Sequence, residues 1–236
     1  MGKGTFAKLI SKIGINNSSN EKVLHISLGD VFRKINSGSD LNYVSKYAPE
    51  DLRRELKVCL SSGRLVADNV ANSVIGLEIT SSQSQFKDQN LSFILDGYPR
   101  TLQQAQSIYE LFKTLPFSVI DIRLERWIAK EKILGRRQCS TCGEGFNLAH
   151  IVFDDYNMPS KHPNPARCTA IRGMPCHPDL TLRSDDVAGV IERRFDEYEK
   201  NMEPILDYFS SLGVLKTFEV KRGVQDVQKL IEMMRS

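Results

Sequence analysis

Phe93-Ile94-Leu95-Asp96-Gly97-Tyr98-Pro99-Arg100-Thr101 runs from an apolar stretch into an acid, a glycine, a proline and a cation. Phe93-Ile94-Leu95 lacks polar alternation, which is the pattern of a buried parallel strand. Ligands of open α/β sheets sit at the carboxyl ends of strands. A carboxylate beside a guanidinium there suits a metal–phosphate site, with Asp96 holding Mg²⁺ or its waters and Arg100 gripping phosphate oxygens. The same residues also suit a strand end and turn with a surface Asp–Arg pair. Taken alone, the stretch leaves both readings open.

The start of the chain bears on that choice. Gly2-Lys3-Gly4-Thr5 opens directly into a helical stripe, Phe6, Leu9, Ile10 and Ile13, closed by Gly14. Gly-Lys at a helix start brings backbone N–H groups, the helix terminus and an ammonium together on phosphate. Lys22–Ser27, Phe117–Leu124 and Val214–Val220 read as further strands. Asp30–Lys34, Asp40–Ile75 (broken by Pro49 and Ser61-Ser62-Gly63) and Val224–Met234 read as helices. Strands alternating with helices predict an α/β fold, a parallel sheet flanked by helices on both faces. Gln138–Leu182 breaks the rhythm with five prolines and four of the five cysteines, and reads as an inserted subdomain.

Bulk composition excludes several classes. The 236 residues carry 32 Lys and Arg against 29 Asp and Glu, a net +3 with no basic clusters interleaved with aromatics, so nucleic acid is not an expected partner. No apolar run reaches bilayer length, so no membrane partner is expected. Five cysteines, an odd number, point to a reducing compartment. The cytoplasm is the expectation, with an organelle left open.

In order along the chain, these segments resemble the adenylate kinase family of nucleoside monophosphate kinases. Gly2–Thr5 is similar to the end of that family's Gly-x-x-Gly-x-Gly-Lys-Gly-Thr loop. His25-Ile26-Ser27-Leu28-Gly29-Asp30-Val31-Phe32-Arg33 is similar to its His-Ile-Ser-Thr-Gly-Asp-Leu-Leu-Arg segment, and Leu95–Thr101 to its Asp-Gly-Phe-Pro-Arg-Thr signature. Gly135-Arg136-Arg137 and Arg183-Ser184-Asp185-Asp186 match the two borders of its lid. The resemblance implies a P-loop kinase-type core (1–34, 79–137 and 183–236), a helical acceptor-binding arm (35–78) and a lid insert (138–182). It implies reversible phosphoryl transfer from Mg-ATP, or another triphosphate such as GTP, to AMP by a monomer.

The implied roles fall on named positions. Lys3 and the amides of Gly2 and Gly4 would hold donor phosphates, with Thr5 beside them, and Asp96 would order Mg²⁺ through water. Arg33 and Arg100 would grip the AMP phosphate, a task suited to planar guanidinium. Gln104 would meet the adenine edge, and Leu28, Arg64, Val66 and Gly97 would surround the acceptor nucleoside. Leu28 stands where the family usually has a hydroxyl, which bears on acceptor strictness. Lys132 stands where the family usually stacks an Arg on the donor base, which bears on the choice of ATP or GTP. Arg222 joins it on the donor side.

Arg194 can also be read without the family. It lies on or beside the stripe Val187, Val190, Ile191, Phe195, Tyr198, Met202 and Ile205, where a cation must pair, face a cleft or sit at a solvated edge. The resemblance joins it to Arg136 and Arg183 around the transferring phosphoryl. Asp185 and Asp186 either orient those arginines or serve as acidic residues at a helix start.

In the insert, Cys139-Ser140-Thr141-Cys142-Gly143 is a Cys-x₂-Cys knuckle, and Cys168 and Cys176 complete a tentative Zn²⁺ set. The second pair is irregularly spaced, His177 is an alternative to Cys176, and free thiols are the competing reading. Cys59 is read as packing. The family's first strand and the first half of its phosphate loop have no counterpart before Gly2. The expectation is a sequence lacking its beginning; the alternative is a nucleotide-binding paralogue that does not catalyse.

Overall fold

The computed structural model describes residues 2–16, 20–37, 50–62, 64–163, 180–183 and 186–235, with the backbone alone for 50–53. Helix α1 (Lys3–Ile13) starts at Gly2, whose φ of 91° is left-handed, and ends where Gly14 (φ 87°) donates its N–H to Ile10. Phe6, Ala7 and Ile10 bury its inner stripe. The stripe runs off the end: Ile13 is 42% exposed rather than buried.

β1 (Glu21–Ser27) pairs in parallel with β2 (Asn90–Asp96), from Glu21 opposite Asn90 to Ser27 opposite Asp96. β3 (Val119–Arg123) pairs in parallel with β9 (Leu215–Glu219). The expected strands are found, with ends shifted by a residue or two. The α/β class stands, yet the described strands form two parallel pairs rather than one ladder. Phe93, Ile94 and Leu95 are therefore half-buried instead of buried, because β2 is hydrogen-bonded along one edge only among the described residues.

α2 (Leu28–Ser37), α3 (Glu50–Ser62) and α4 (Asp68–Gln85) follow β1. α4 runs ten residues beyond the expected stop at Ile75, since Gly76 sits mid-helix with no terminating turn. α5 (Leu102–Phe112) follows β2, and α6 (Arg126–Leu134) follows β3. The long α7 (Ala188–Ser211) precedes β9, and α8 (Val227–Arg235) follows a short 3₁₀ turn at Gly223–Asp226.

Two apolar clusters hold these layers. One packs Ile26, Phe32, Ile35, Leu56, Ile75, Ala105 and Phe209, tying α2, α3, α4, α5 and α7 to β1. The other packs Phe6, Ile10, Val23, Ile128, Phe218 and Ile231, so α1 is clamped between both sheets and α8. Burying a side chain such as Phe209 contributes roughly 1.5–3 kcal/mol.

The described part of the insert is antiparallel. β4 (Arg136–Cys139) lies between β5 (Gly145–Asn147) and β8 (Leu180–Thr181), and β6 (Ile151–Phe153) pairs with β7 (Tyr156–Met158). Among the described residues, no helix is long and apolar enough to cross a membrane.

Candidate active site

The end of β2 meets the start of α1. A Cβ on Gly4 would stand 3.0 Å from Asp96 Oδ2, so a glycine there lets the strand-end carboxylate approach the helix N-terminus. His25 Nε2 lies 3.5 Å from the same oxygen, both side chains largely enclosed. Burial pushes the Asp96 carboxyl up, but His25, Lys3 and Arg100 outweigh it and hold the acid below the usual carboxylate range. Lys3 is exposed at the first turn of α1. Desolvation draws its pKa down, Arg100 and Arg194 add to this, and Asp96 and Asp121 oppose it. Lys3, Asp96, Arg100 and Arg194 thus act within one electrostatic field.

Two carboxylates organise four arginines beside it. Asp186, whose side chain has no exposed surface, lies 3.2 Å from Arg136 Nη1 and 3.7 Å from Arg194 Nη1. Asp30 lies 2.5 Å from Arg33 Nη2 and 3.7 Å from Arg183 Nη2. Burial raises the Asp30 carboxyl, but Arg33, Arg183 and Lys8 outweigh it and the net shift is downward. Asp185 lies outside the described residues.

A pocket opens from this cluster. Leu28, Phe32 and Arg33 of α2, Cys59 of α3, the segment Arg64–Val66, Gly97, Arg100, Gln104 and Arg194 line it. Gly97 has φ 76°, and a Cβ there would come within 2.9 Å of Arg100 Nη2. That glycine lets Arg100 fold back so that its Nε donates to the Gly97 carbonyl at 2.8 Å. The Tyr98–Pro99 peptide is cis. Thr101 caps α5 by accepting from Gln104 N–H. Tyr98 OH donates to Asn72 Oδ1 at 2.6 Å, and burial with the nearby Asp68 charge pushes its pKa up to about 12.

The donor-side residues take other partners. Lys132 Nζ donates to the carbonyls of Ala149 (2.8 Å) and Met158 (3.1 Å), and burial lowers its pKa. Its ammonium braces the base of the insert rather than extending over an open face. Arg222 donates its backbone N–H to Asp226. Gly135 packs so closely that a Cβ would stand 2.7 Å from Ala149. In the knuckle, Cys139 is buried and Cys142 half-buried, with Gly143 N–H returning to the Cys139 carbonyl. Cys168, Cys176 and His177 lie outside the described residues, and among the described ones no three candidate ligands gather.

Some residues of the site carry no signal of their own in the sequence. His25 and Asp30 were visible inside the quoted segment but carried no spacing signal of their own. Cys59 was assigned to packing alone, yet it lines the pocket.

Positive charge gathered around one strand end and one lysine-bearing helix start is how α/β proteins seat phosphate groups. The site therefore belongs to the class of nucleotide phosphotransferases. Within that class, the chain belongs to the adenylate kinase family, whose model matches residues 1–214. It is 33% identical over 233 residues to an adenylate kinase of Acetivibrio thermocellus, covering 97% of this chain and 90% of that protein. It is 30% identical over 227 residues to a GTP:AMP phosphotransferase of Plasmodium falciparum (isolate 3D7), covering 96% and 88%. It is 28% identical over 236 residues to adenylate kinase 1, chloroplastic, of Arabidopsis thaliana, covering 100% and 74%.

Proposed function

We propose that this chain reversibly transfers the terminal phosphoryl group of a magnesium-bound nucleoside triphosphate to AMP, giving two diphosphates. The observation that carries the reading is the pocket in which Arg33, Arg100 and Arg194 face the same space as Gln104, beside the field of Lys3 and Asp96. Arg33 and Arg100 hold the acceptor phosphate. Lys3 and the α1 N-terminus hold the donor phosphates. Arg136, Arg183 and Arg194 meet the charge spread over the phosphoryl in flight, which is where catalysis of this reaction resides. Segments 35–78 and 138–182 act as acceptor arm and lid, closing to exclude water.

The Asp96 carboxylate, held below the usual carboxylate range, is a hard oxygen donor that fits Mg²⁺ better than a soft metal. Through its waters, Asp96 would hold Mg²⁺ where the ion would neutralise donor phosphate oxygens. A structural Zn²⁺ on Cys139, Cys142, Cys168 and Cys176 is a separate proposal for the insert, supported by the paired thiols of the knuckle. Metal analysis of the purified chain finds one zinc per chain if it holds, and none if it fails.

ATP is the expected donor. GTP is the second reading, compatible with the name of the Plasmodium relative. The test offers Mg-ATP or Mg-GTP with AMP, UMP or CMP and follows diphosphate formation, with Lys3→Ala as the control for contaminating kinase. ADP formed from AMP and lost in the control supports the reading. No turnover with any pair favours a non-catalytic nucleotide-binding role.

A further inference from the structure

Gln104 is 2% exposed, and its amide is held at both ends. Its Nε2 donates to Asp68 Oδ1 at 2.7 Å, and its Oε1 accepts the Arg100 backbone N–H at 2.8 Å. Asp68 Oδ2 accepts from Thr101 Oγ1 at 2.9 Å, so both oxygens of the carboxylate are engaged on the α5 side of the pocket. A carboxylate only accepts and a backbone N–H only donates. The two contacts therefore dictate which end of the amide is oxygen. Turning the amide over would set oxygen against oxygen and N–H against N–H, in a nearly enclosed place where little water can compensate.

Among the described residues, one N–H and one oxygen lone pair of the Gln104 amide take no partner and remain for a ligand. With its polarity fixed, the amide can take the amino group of a 6-aminopurine on its oxygen and give its N–H to a ring nitrogen. A 6-oxopurine presents the reverse pattern, an accepting O6 beside a donating ring N–H. Only an overturned amide matches it.

We propose that Asp68 is a specificity-determining positioning residue: by locking the amide of Gln104 in one polarity, it makes the acceptor pocket select a 6-aminopurine monophosphate over a 6-oxopurine monophosphate. The proposal rests on the reading that Gln104 faces the acceptor base. Asp68 itself touches no substrate; it acts through Gln104 from the first turn of α4.

The test measures kcat/KM of the full chain with AMP and with inosine monophosphate. Asp68→Asn keeps the shape and can either accept from Gln104 or donate to it. Asp68→Ala removes the carboxylate's half of the lock and leaves only the Arg100 N–H on the amide oxygen. Both lower the ratio of AMP to inosine monophosphate by roughly tenfold or more, the worth of one lost hydrogen bond. Gln104→Leu abolishes discrimination, and adding Asp68→Asn to it lowers the ratio no further, since residues acting through one another are not additive. If Asp68 only supports the fold, both acceptors weaken together and the ratio stays within twofold of the parent, which overturns the proposal. If Gln104→Leu also leaves the ratio unchanged, the reading of Gln104 fails and takes the proposal with it. If Gln104→Leu shifts the ratio and the Asp68 variants do not, the proposal alone fails.

Discussion

Replacing Asp186 by Asn tests whether one enclosed carboxylate holds the arginine cluster in place. The substitution keeps the shape and deletes the charge facing Arg136 at 3.2 Å and Arg194 at 3.7 Å. At an effective dielectric constant of about 20, each contact carries roughly 4–5 kcal/mol of gross attraction. Desolvation of the carboxylate offsets much of this, and removing one member of a buried pair typically costs about 3–5 kcal/mol. The two arginine side chains are 21% and 30% exposed, so water can meet part of the lost interaction in the variant. The expected loss is about 2–3 kcal/mol, between the buried and surface limits. For a chain of this size that corresponds to a Tm lowered by roughly 4–10 °C. With the arginines no longer aimed, kcat falls about 10- to 100-fold while KM for AMP changes little, because the lost interaction belongs to the transition state. Thermal melting and coupled ADP formation read the two effects. A Tm within 1 °C of the parent together with kcat within a factor of about two would refute the reasoning.

Other perturbations are simpler. Gly97→Ala forces a Cβ at φ 76° to within 2.9 Å of Arg100 Nη2; it destabilises by about 1–2 kcal/mol and raises KM for AMP, as steady-state kinetics will show. Lys132→Met leaves the carbonyls of Ala149 and Met158 without their donor, lowering the Tm but leaving the ratio of ATP to GTP use unchanged; a shifted ratio would place Lys132 on the base after all. Glu21 feels burial as an upward push, but the N–H groups of Ile15 and Asn16 and the Ser92 hydroxyl outweigh it, so its folded pKa lies below the unfolded value. Its contribution is complete above about pH 4.3, the unfolded pKa, and is lost as pH falls through the lower folded value. Glu21→Gln should therefore flatten the acid limb of urea midpoints measured from about pH 6 down to 3; an unaltered limb would remove Glu21 from that role.

What was legible in the chain was local. Gly2–Thr5 and Leu95–Thr101 carry their chemistry in consecutive residues, and strand and helix periods delimited the parallel pairs to within a residue or two. What escaped depended on contacts made across the fold. Asp68 meets Gln104 only because α4 packs beside α5, and Asp30 meets Arg183 only when the far border of the insert folds back over α2. The stripe of α1 predicted a buried Ile13, but periodicity does not say where the partner surface ends. The family resemblance sets Lys132 on the donor side; its contacts with the Ala149 and Met158 carbonyls are ones that no sequence pattern announces. Val152 and Phe153 are apolar strand residues that nonetheless face outward, Phe153 meeting the exposed Trp127 edge-on at 5.4 Å between centroids.

The brace at Lys132 also bears on where the molecule can bend. Lys132 Nζ holds Ala149 and Met158, Asn147 Nδ2 returns to the Lys132 carbonyl, and Leu148 N–H returns to Gly135. Parts held at so many points resist separation of the end of α6 from Asn147–Ala149 and Met158. The same helix is lashed to α7 through Arg126, which holds Glu192 and Glu199, and through Lys130, which also holds Glu192. α7 carries Arg194, one turn along from Val190 and facing the pocket. The Lys132 brace and these pairs therefore link β5 and β7, through α6, to the helix that carries Arg194.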